Sequence, residues 1–125
     1  MKTEKEILCE FVGLVFRADD NDVLSAKHLL KSSLTSVRIV ANEAIEISSH
    51  LNESDRGKLN AKMIEAGLPP LTSLQDKAFR DFLKIANRGN IKNDGEFYLV
   101  KSVLGSSLLN KDHQRLAFKL IDNYE

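Results

Sequence analysis

Apolar side chains recur along this chain at intervals of three and four residues and almost never at intervals of two. This spacing places them on one face of an α-helix, whereas a half-buried strand alternates at every second residue. The pattern therefore predicts an all-α fold with no convincing strand. The chain has 125 residues, and it carries neither a fixed-period repeat nor a low-complexity linker. We expect one domain over residues 1–125, folded as a single compact bundle of five to seven helices.

The first predicted helix runs from about Thr3 to about Arg17. Thr3 stands three residues before Glu6, the spacing of a capping box, in which two side chains satisfy backbone amides of the first turn. The acidic turn DDND, residues 19–22, is expected to end this helix. Its inward-facing residues are predicted to be Ile7, Leu8, Phe11, Val12 and Val15.

The segment 23–51 has a long apolar pattern with a weak centre. Its second half forms one helical face, with Val37, Val40, Ala44, Ile47 and Leu51 predicted to point inward. The stretch KSSLTS, residues 31–36, interrupts the pattern, because Ser and Thr side chains compete for backbone hydrogen bonds inside helices. We therefore expect either one bent helix or two helices broken near Ser33.

Two further helices are separated by the sequence GLPPL, which forces an extended corner because proline has no backbone N–H and restricts the residue before it. The first covers residues 53–66 and ends at Gly67. The second ends near Asn87, and Thr72 and Gln75 have capping-box spacing at its start. The predicted inward residues are Leu59, Met63 and Ile64 in the first helix, and Leu74, Phe79, Phe82, Leu83 and Ala86 in the second.

The stretch RGNIKNDGEFYLV, residues 88–100, reads as a corner between two helices. Gly89 closes one helix, Asn93 can cap the next, and Glu96 stands where its side chain can reach back to the cap. A last helix is predicted from about Lys111 to Tyr124, capped by Asn110. The inward residues of these two helices are predicted to be Phe97, Val100 and Leu104, then Leu116, Leu120, Ile121 and Tyr124.

The composition is that of a globular protein, with 42% apolar and 29% charged residues. Lys and Arg together number 18, as do Asp and Glu, so the formal net charge is zero. No overall field attracts the chain to nucleic acid or to an anionic membrane, so neither is an expected partner. The run FVGLVF near the N-terminus is too short for a signal sequence or a membrane span. We expect a cytoplasmic protein.

Candidate catalytic and metal-binding groups are few. Cys9 is the only cysteine; it shares a helical face with apolar residues, so we expect a buried thiol and no disulfide. A calcium loop beginning at Asp20 is excluded, because its last ligand position is Lys31 where a bidentate Glu is required. No phosphate-binding glycine loop or nucleophile elbow occurs. The histidines, which fit no metal-binding motif, are His28, His50 and His113. The sequence predicts no metal, no cofactor and no enzymatic activity.

Charge is distributed unevenly although its sum is zero. Residues 1–22 hold three bases and six acids, whereas residues 71–92 hold five bases and two acids. We name the five bases of the second segment the basic stripe: Lys77, Arg80, Lys84, Arg88 and Lys92. Their spacing places the first four on one predicted helix face, with Asp81 off the row. Such a face is either solvated surface or, since no Glu is interleaved at four-residue spacing, a contact surface for an acidic partner.

The C-terminal third of the chain, RGNIKNDGEFYLVKSVLGSSLLNKDHQRLAFKLIDNYE, resembles the tail of small all-helical bacterial immunity proteins of the contact-dependent growth inhibition type. The basic-Gly corner, the acid-aromatic run NDGEFYLV and the closing IDNYE carry the resemblance. It implies a non-enzymatic cytoplasmic protein that binds a cognate toxin domain and blocks its active site or its access to a target. Many immunity proteins against nucleases are acidic, whereas this chain is neutral with a basic stripe, so the toxin's activity stays open.

Three function classes remain: an interaction module, a nucleic-acid-binding regulator and an enzyme. The regulator would use the basic stripe, with RGNIKN as the turn of a helix-turn-helix. Zero net charge and a second helix that begins EFYLV, too apolar to lie in a groove, argue against it. We expect a protein-interaction module, most concretely an immunity protein that neutralises a bacterial toxin, with the regulator as the alternative. The basic stripe is its predicted contact surface, and the acidic turn Asp19, Asp20 and Asp22 is a second candidate.

Overall fold

A computed structural model describes residues 2–17, 24–106 and 109–124. Within these residues the chain forms seven α-helices and no strand. In chain order they are α1 Glu4–Phe16, α2 Ala26–Leu29, α3 Leu34–Ser49, α4 Glu53–Glu65, α5 Leu71–Arg88, α6 Asp94–Gly105 and α7 Lys111–Tyr124. The predicted all-α bundle is confirmed, with a helix number at the upper end of the expected range. The acidic turn at 19–22 lies outside the described residues.

Side-chain caps define where most of these helices begin. At α1, Thr3 Oγ1 accepts from the Glu6 amide while the Glu6 carboxylate accepts from the Thr3 amide, so the predicted capping box is complete. Ser33 caps α3 in the same manner, accepting from the Ser36 amide at 3.1 Å. Because a capping residue has extended backbone, it separates α2 from α3. Of the two alternatives for this segment, two helices broken at Ser33 is the correct one.

The predicted cap at Thr72 is wrong. Helix α5 begins one residue earlier, at Leu71, with Pro70 at the cap position and no capping side chain of its own. The Leu71 amide instead donates to Asn60 Oδ1 of α4 at 2.9 Å. Proline already has the backbone φ angle that a helix requires, so the helix starts directly after it. The acceptor comes from another helix, which local spacing could not indicate.

The most closely packed part of the core lies where α3 runs between α1 and α6, since α3 makes its most extensive contacts with these two helices. Helices α4 and α7 pack against the outer sides of α1, α5 and α6. Burial of apolar surface here is the main stabilising contribution to the fold. The fully buried side chains include Cys9, Phe11, Val12, Val37, Met63, Phe82 and Val100. The prediction of a buried Cys9 is confirmed, and burial raises the pKa of its thiol.

Three residues predicted to face inward are exposed: Ile47 at 40%, Ile64 at 57% and Leu116 at 43%. Each lies next to a buried residue, namely Ser48, Met63 and Ala117. Small side chains such as Ser48 and Ala117 let neighbouring helices approach closely and so set the rotation of their helix. Ser48 is buried without an unpaired hydroxyl, because its Oγ donates to the Ile45 carbonyl at 2.8 Å. Tertiary packing therefore exposes these three positions at the edge of each helix's inward face, while Val37, Met63 and Leu120 stay buried as predicted.

Helix α5 is the longest of the described helices, with 18 residues. Six of these residues are charged, and they follow the side of the helix that faces away from the core. In the parts of the chain that are described, no helix combines the length and the hydropathy that crossing a bilayer requires.

Candidate protein-binding groove

A groove of about 1130 Å³ opens between α1, α3, α5 and the beginning of α6. Its deep surface is apolar and belongs to the edge of the core: Ala41, Ile45, Leu74, Ala78, Ile85 and Leu99. Nearer the mouth, Ile7 and Leu8 of α1 and Ile39 of α3 are half-buried and keep accessible apolar surface. The volume is that of a ligand-sized pocket or of a cleft for several side chains.

One end of the groove is lined by an ion pair between two helices that are distant in sequence. The guanidinium of Arg38 on α3 donates from Nε and Nη2 to the two carboxylate oxygens of Glu4 on α1, both at 2.9 Å. This hydrogen bonding by Arg38 holds the pKa of the Glu4 carboxyl below its usual range. Lys77 and Asp81 of α5 lie near enough to act electrostatically on this pair. Four charges from three helices therefore surround this end.

The structure divides the basic stripe. Lys77, Lys84 and Arg88 line the groove, whereas Arg80 and Lys92 are exposed outside it. Since a helix turns by about 100° per residue, Arg80 lies roughly 60° from Lys77 on the side of α5 away from the groove.

The expectation that Asp81 stands off the row is wrong. Asp81 Oδ2 accepts from Lys77 Nζ at 2.9 Å, and Asp81 Oδ1 lies 3.9 Å from Lys84 Nζ. The residue sits only about 40° from Lys77 around the helix, closer to the row than Arg80 does. The groove-facing row of α5 thus carries one acid, Asp81, between Lys77 and Lys84.

The far end of the groove is built by the α5–α6 corner. Gly89 ends α5 with a φ of 91°, a left-handed conformation that favours glycine. The turn brings Arg88 against Asn90 and against the carboxylate of Glu96, which Arg88 contacts directly. Asn93 caps α6 as predicted, accepting from the Glu96 amide at 2.9 Å. Glu96 does not complete the predicted capping box, because its carboxylate accepts from the Lys92 amide at 2.8 Å and not from Asn93.

Burial and hydrogen bonding act in opposite directions on Glu96. Burial raises the pKa of its carboxyl, but hydrogen bonds from the Arg88 side chain and the Lys92 amide outweigh burial, and the net pKa is lowered. Glu96 is therefore a carboxylate at neutral pH that fixes the corner electrostatically. The basic residue Arg88 is largely engaged in this contact.

The C-terminal segments NDGEFYLV and IDNYE meet in space beside the groove. The Tyr124 hydroxyl of α7 donates to Asp94 Oδ1 at 2.5 Å, and the Tyr124 ring stacks on Phe97 with a centroid distance of 5.3 Å. This hydrogen bond to Asp94 raises the pKa of Tyr124. Asp94 itself lines the groove. These residues are 30 apart in the chain, and no local signal in the sequence could have paired them.

Each histidine has a local structural partner. His28 Nδ1 lies 2.9 Å from the cap hydroxyl of Ser25, and His50 Nε2 lies 2.6 Å from the Gly105 carbonyl oxygen. His113 contacts two phenylalanine rings edge-on, at centroid distances of 5.5 Å and 6.1 Å. Within residues 2–17, 24–106 and 109–124, no three His, Cys, Asp or Glu side chains gather closely enough to hold a metal ion.

The groove thus combines an apolar interior with fixed charges of both signs at its mouth, which suits non-covalent binding of another molecule's side chains. The structure brings three of the five stripe residues together there and adds Glu4, Arg38 and Asp81, which sequence reasoning missed as members of a site. Compared with known protein families, with curated proteins and with solved structures, the chain has no match in any of the three.

Proposed function

We propose that this chain is a non-enzymatic protein-interaction module, most concretely a cytoplasmic immunity protein that binds and neutralises a cognate bacterial toxin. The observation that carries the proposal is the groove between α3 and α5, with accessible apolar side chains beside a charged rim. Protein interfaces use this combination: apolar side chains supply most of the binding energy, and charges at the rim speed association and orient the partner.

The histidines and the cysteine of the described chain support an interaction protein over an enzyme. Cys9 is fully buried, and each histidine is engaged in a cap, a carbonyl contact or a ring contact. A general acid-base residue must reach a substrate proton from a site that also admits the substrate. The groove is lined instead by ion pairs whose acids already accept hydrogen bonds from within the protein.

The alternative, a nucleic-acid-binding regulator, requires α6 to read a groove of the duplex after the RGNIKN turn. The inner side of α6 is buried, including Leu99, Val100 and Val103. Of its exposed residues, Lys101 is the single cation, and Lys101 lies over the ring of Phe97 at 5.5 Å. A recognition helix with one available cation has little to offer phosphates or base edges.

The proposal predicts that a neighbouring reading frame encodes a toxin-like domain, and co-expression with that domain tests it. We expect the domain alone to arrest growth, this protein to restore growth, and the two to elute together on size exclusion. We also expect the association rate to fall as salt rises, because rim charges steer the encounter. Growth that stays arrested while this protein is present and folded would contradict neutralisation. Binding to duplex DNA with a steep log-linear salt dependence would support the regulator instead.

A further inference from the structure

The acids that line the groove are already hydrogen-bonded within the protein. They are Glu4, Asp81, Asp94 and Glu96. Both oxygens of Glu4 accept from Arg38, and Asp81 accepts from Lys77. The other two accept from Tyr124 and from the α5–α6 corner. An incoming cation would have to share these carboxylates with donors that already hold them, so the groove is less prepared for a basic ligand than for an acidic one.

The lysines of the same rim are less fully engaged. The side chain of Lys84 is 80% exposed, and its nearest carboxylate oxygen, on Asp81, lies 3.9 Å away, beyond hydrogen-bond distance. Lys77 spends one of its three ammonium donors on Asp81, and its side chain is 55% exposed. The mouth of the groove therefore has exposed ammonium donors on Lys84 and Lys77, whereas each of its acids already accepts at least one hydrogen bond from within the protein.

Apolar surface lies in the same groove as these donors. Ile39 of α3 and Leu8 of α1 are half-buried, and both line the groove together with Lys77 and Lys84. A phosphate backbone could use the donors but would leave the apolar surface uncovered. A protein segment that carries carboxylates next to large apolar side chains would use both.

We propose that this groove binds an acidic segment of a partner protein, with a carboxylate on Lys84 and Lys77 and an adjoining apolar side chain on Ile39 and Leu8. The inference rests on the proposed function and names the chemistry of the partner's contact segment. Lys84 is the main contact, since no described group competes for it within hydrogen-bond distance. Arg80, four residues earlier and outside the groove, is not part of the site.

A peptide experiment on the full chain tests the inference. Because the chain contains no tryptophan, a single Trp in a short peptide reports binding by its fluorescence without background. The probe alternates Glu with Leu at helical spacing. One control peptide has Lys at each Glu position, a second has Ser at each Leu position, and a labelled oligothymidylate of equal charge represents the phosphate backbone. We expect only the Glu-Leu peptide to saturate, at low salt and concentrations up to about 1 mM.

Two charge reversals on α5 form a matched pair. Lys84→Glu is expected to lower the affinity for the Glu-Leu peptide about tenfold or more, whereas Arg80→Glu should change that affinity less than about twofold. Both side chains are exposed, so both variants should fold, and circular dichroism checks this. Ile39→Ser is expected to lower the affinity for the same peptide and to leave the salt dependence of that affinity unchanged. Equal weakening by the two reversals, tight binding of the Lys or Ser peptide, preferential binding of oligothymidylate, or no binding at all would each overturn the inference.

The two proposals fail in different ways. If the toxin-like domain is neutralised equally well by wild type and by Lys84→Glu, the groove assignment is wrong and the proposed function stands. If the Glu-Leu peptide binds with the expected dependence on Lys84 but growth is never restored, the groove assignment stands and neutralisation is wrong.

Discussion

The two sides of α3 are packed in opposite ways. Toward α1 and α6 it presents residues that are fully or almost fully buried, such as Val37, Ala44 and Ser48. Toward α5 it makes far fewer contacts, and there Arg38 and Ile39 face the groove. The same helix thus packs closely against its neighbours on one side, the closed side, and borders the groove on the other, the open side.

Side-chain size and charge explain this difference. On the closed side, small residues allow close approach, and at its end the carboxylate of Glu46 occupies the space that a side chain at Gly105 would need. On the open side, the groove is lined by long charged side chains that pair elsewhere, Arg38 of α3 with Glu4 of α1 and Lys77 with Asp81 within α5. Apolar spacing therefore indicates which helix faces are buried on average, and the residues between the apolar positions decide how closely two helices approach.

The largest expected effect on stability comes from removing a buried side chain from the closely packed part of the core. Phe11→Ala removes a fully buried ring and should lower the free energy of unfolding by about 3 to 5 kcal/mol, because lost apolar burial is added to the cost of a cavity. Urea denaturation followed by circular dichroism measures it. Phe118→Ala is the matched control: this ring is 57% exposed, and its removal should cost less than about 0.5 kcal/mol. Equal losses would show that the packed region is misplaced.

An intermediate effect is expected at the corner that ends the groove. Gly89→Ala places a side chain on a residue with φ of 91° and should lower the free energy of unfolding by about 1 to 2 kcal/mol. Gly57→Ala, inside α4 with open space around it, should raise the same quantity by about 0.4 to 1 kcal/mol. Both follow from urea denaturation. If Gly89→Ala raises the free energy of unfolding as Gly57→Ala does, the left-handed corner is not part of the native structure.

The smallest effect concerns the charge of Glu96 on the open side. Its folded pKa is lowered, so its charge stabilises the fold above the unfolded pKa, about 4.3, and this contribution disappears as pH falls through the folded value. Glu96→Gln should therefore cost about 0.5 to 1 kcal/mol at pH 7, with the difference from wild type vanishing in acid. Unfolding curves from neutral to acid pH measure it. Glu43→Gln changes an exposed residue of α3 and is the control, with an expected change in stability of less than about 0.5 kcal/mol. If the difference between Glu96→Gln and wild type grows in acid, the charge of Glu96 does not stabilise the fold.

The part of the fold that depends on neighbouring residues could be predicted. Each helix cap is a hydrogen bond between a side chain and the amide three residues further on, so caps and helix breaks can be predicted from local sequence. The capping residues are Thr3, Ser33, Asn93 and Asn110. The site was predicted only in part. Lys77, Lys84 and Arg88 do line the groove, but Arg80 and Lys92 do not. Whether any of the five contacts a partner stays a prediction.

The sequence by itself determined that the chain is helical and where most of the helices begin and end, because capping hydrogen bonds and apolar periodicity act within one or two turns. Only the tertiary structure decided which individual residues of each helix are buried. It also decided which polar side chains from different helices form pairs. Glu4 with Arg38 and Asp94 with Tyr124 are 34 and 30 residues apart. Such pairs exist because the packing of whole helices brings them together, and that packing depends on every side chain in the interface at once.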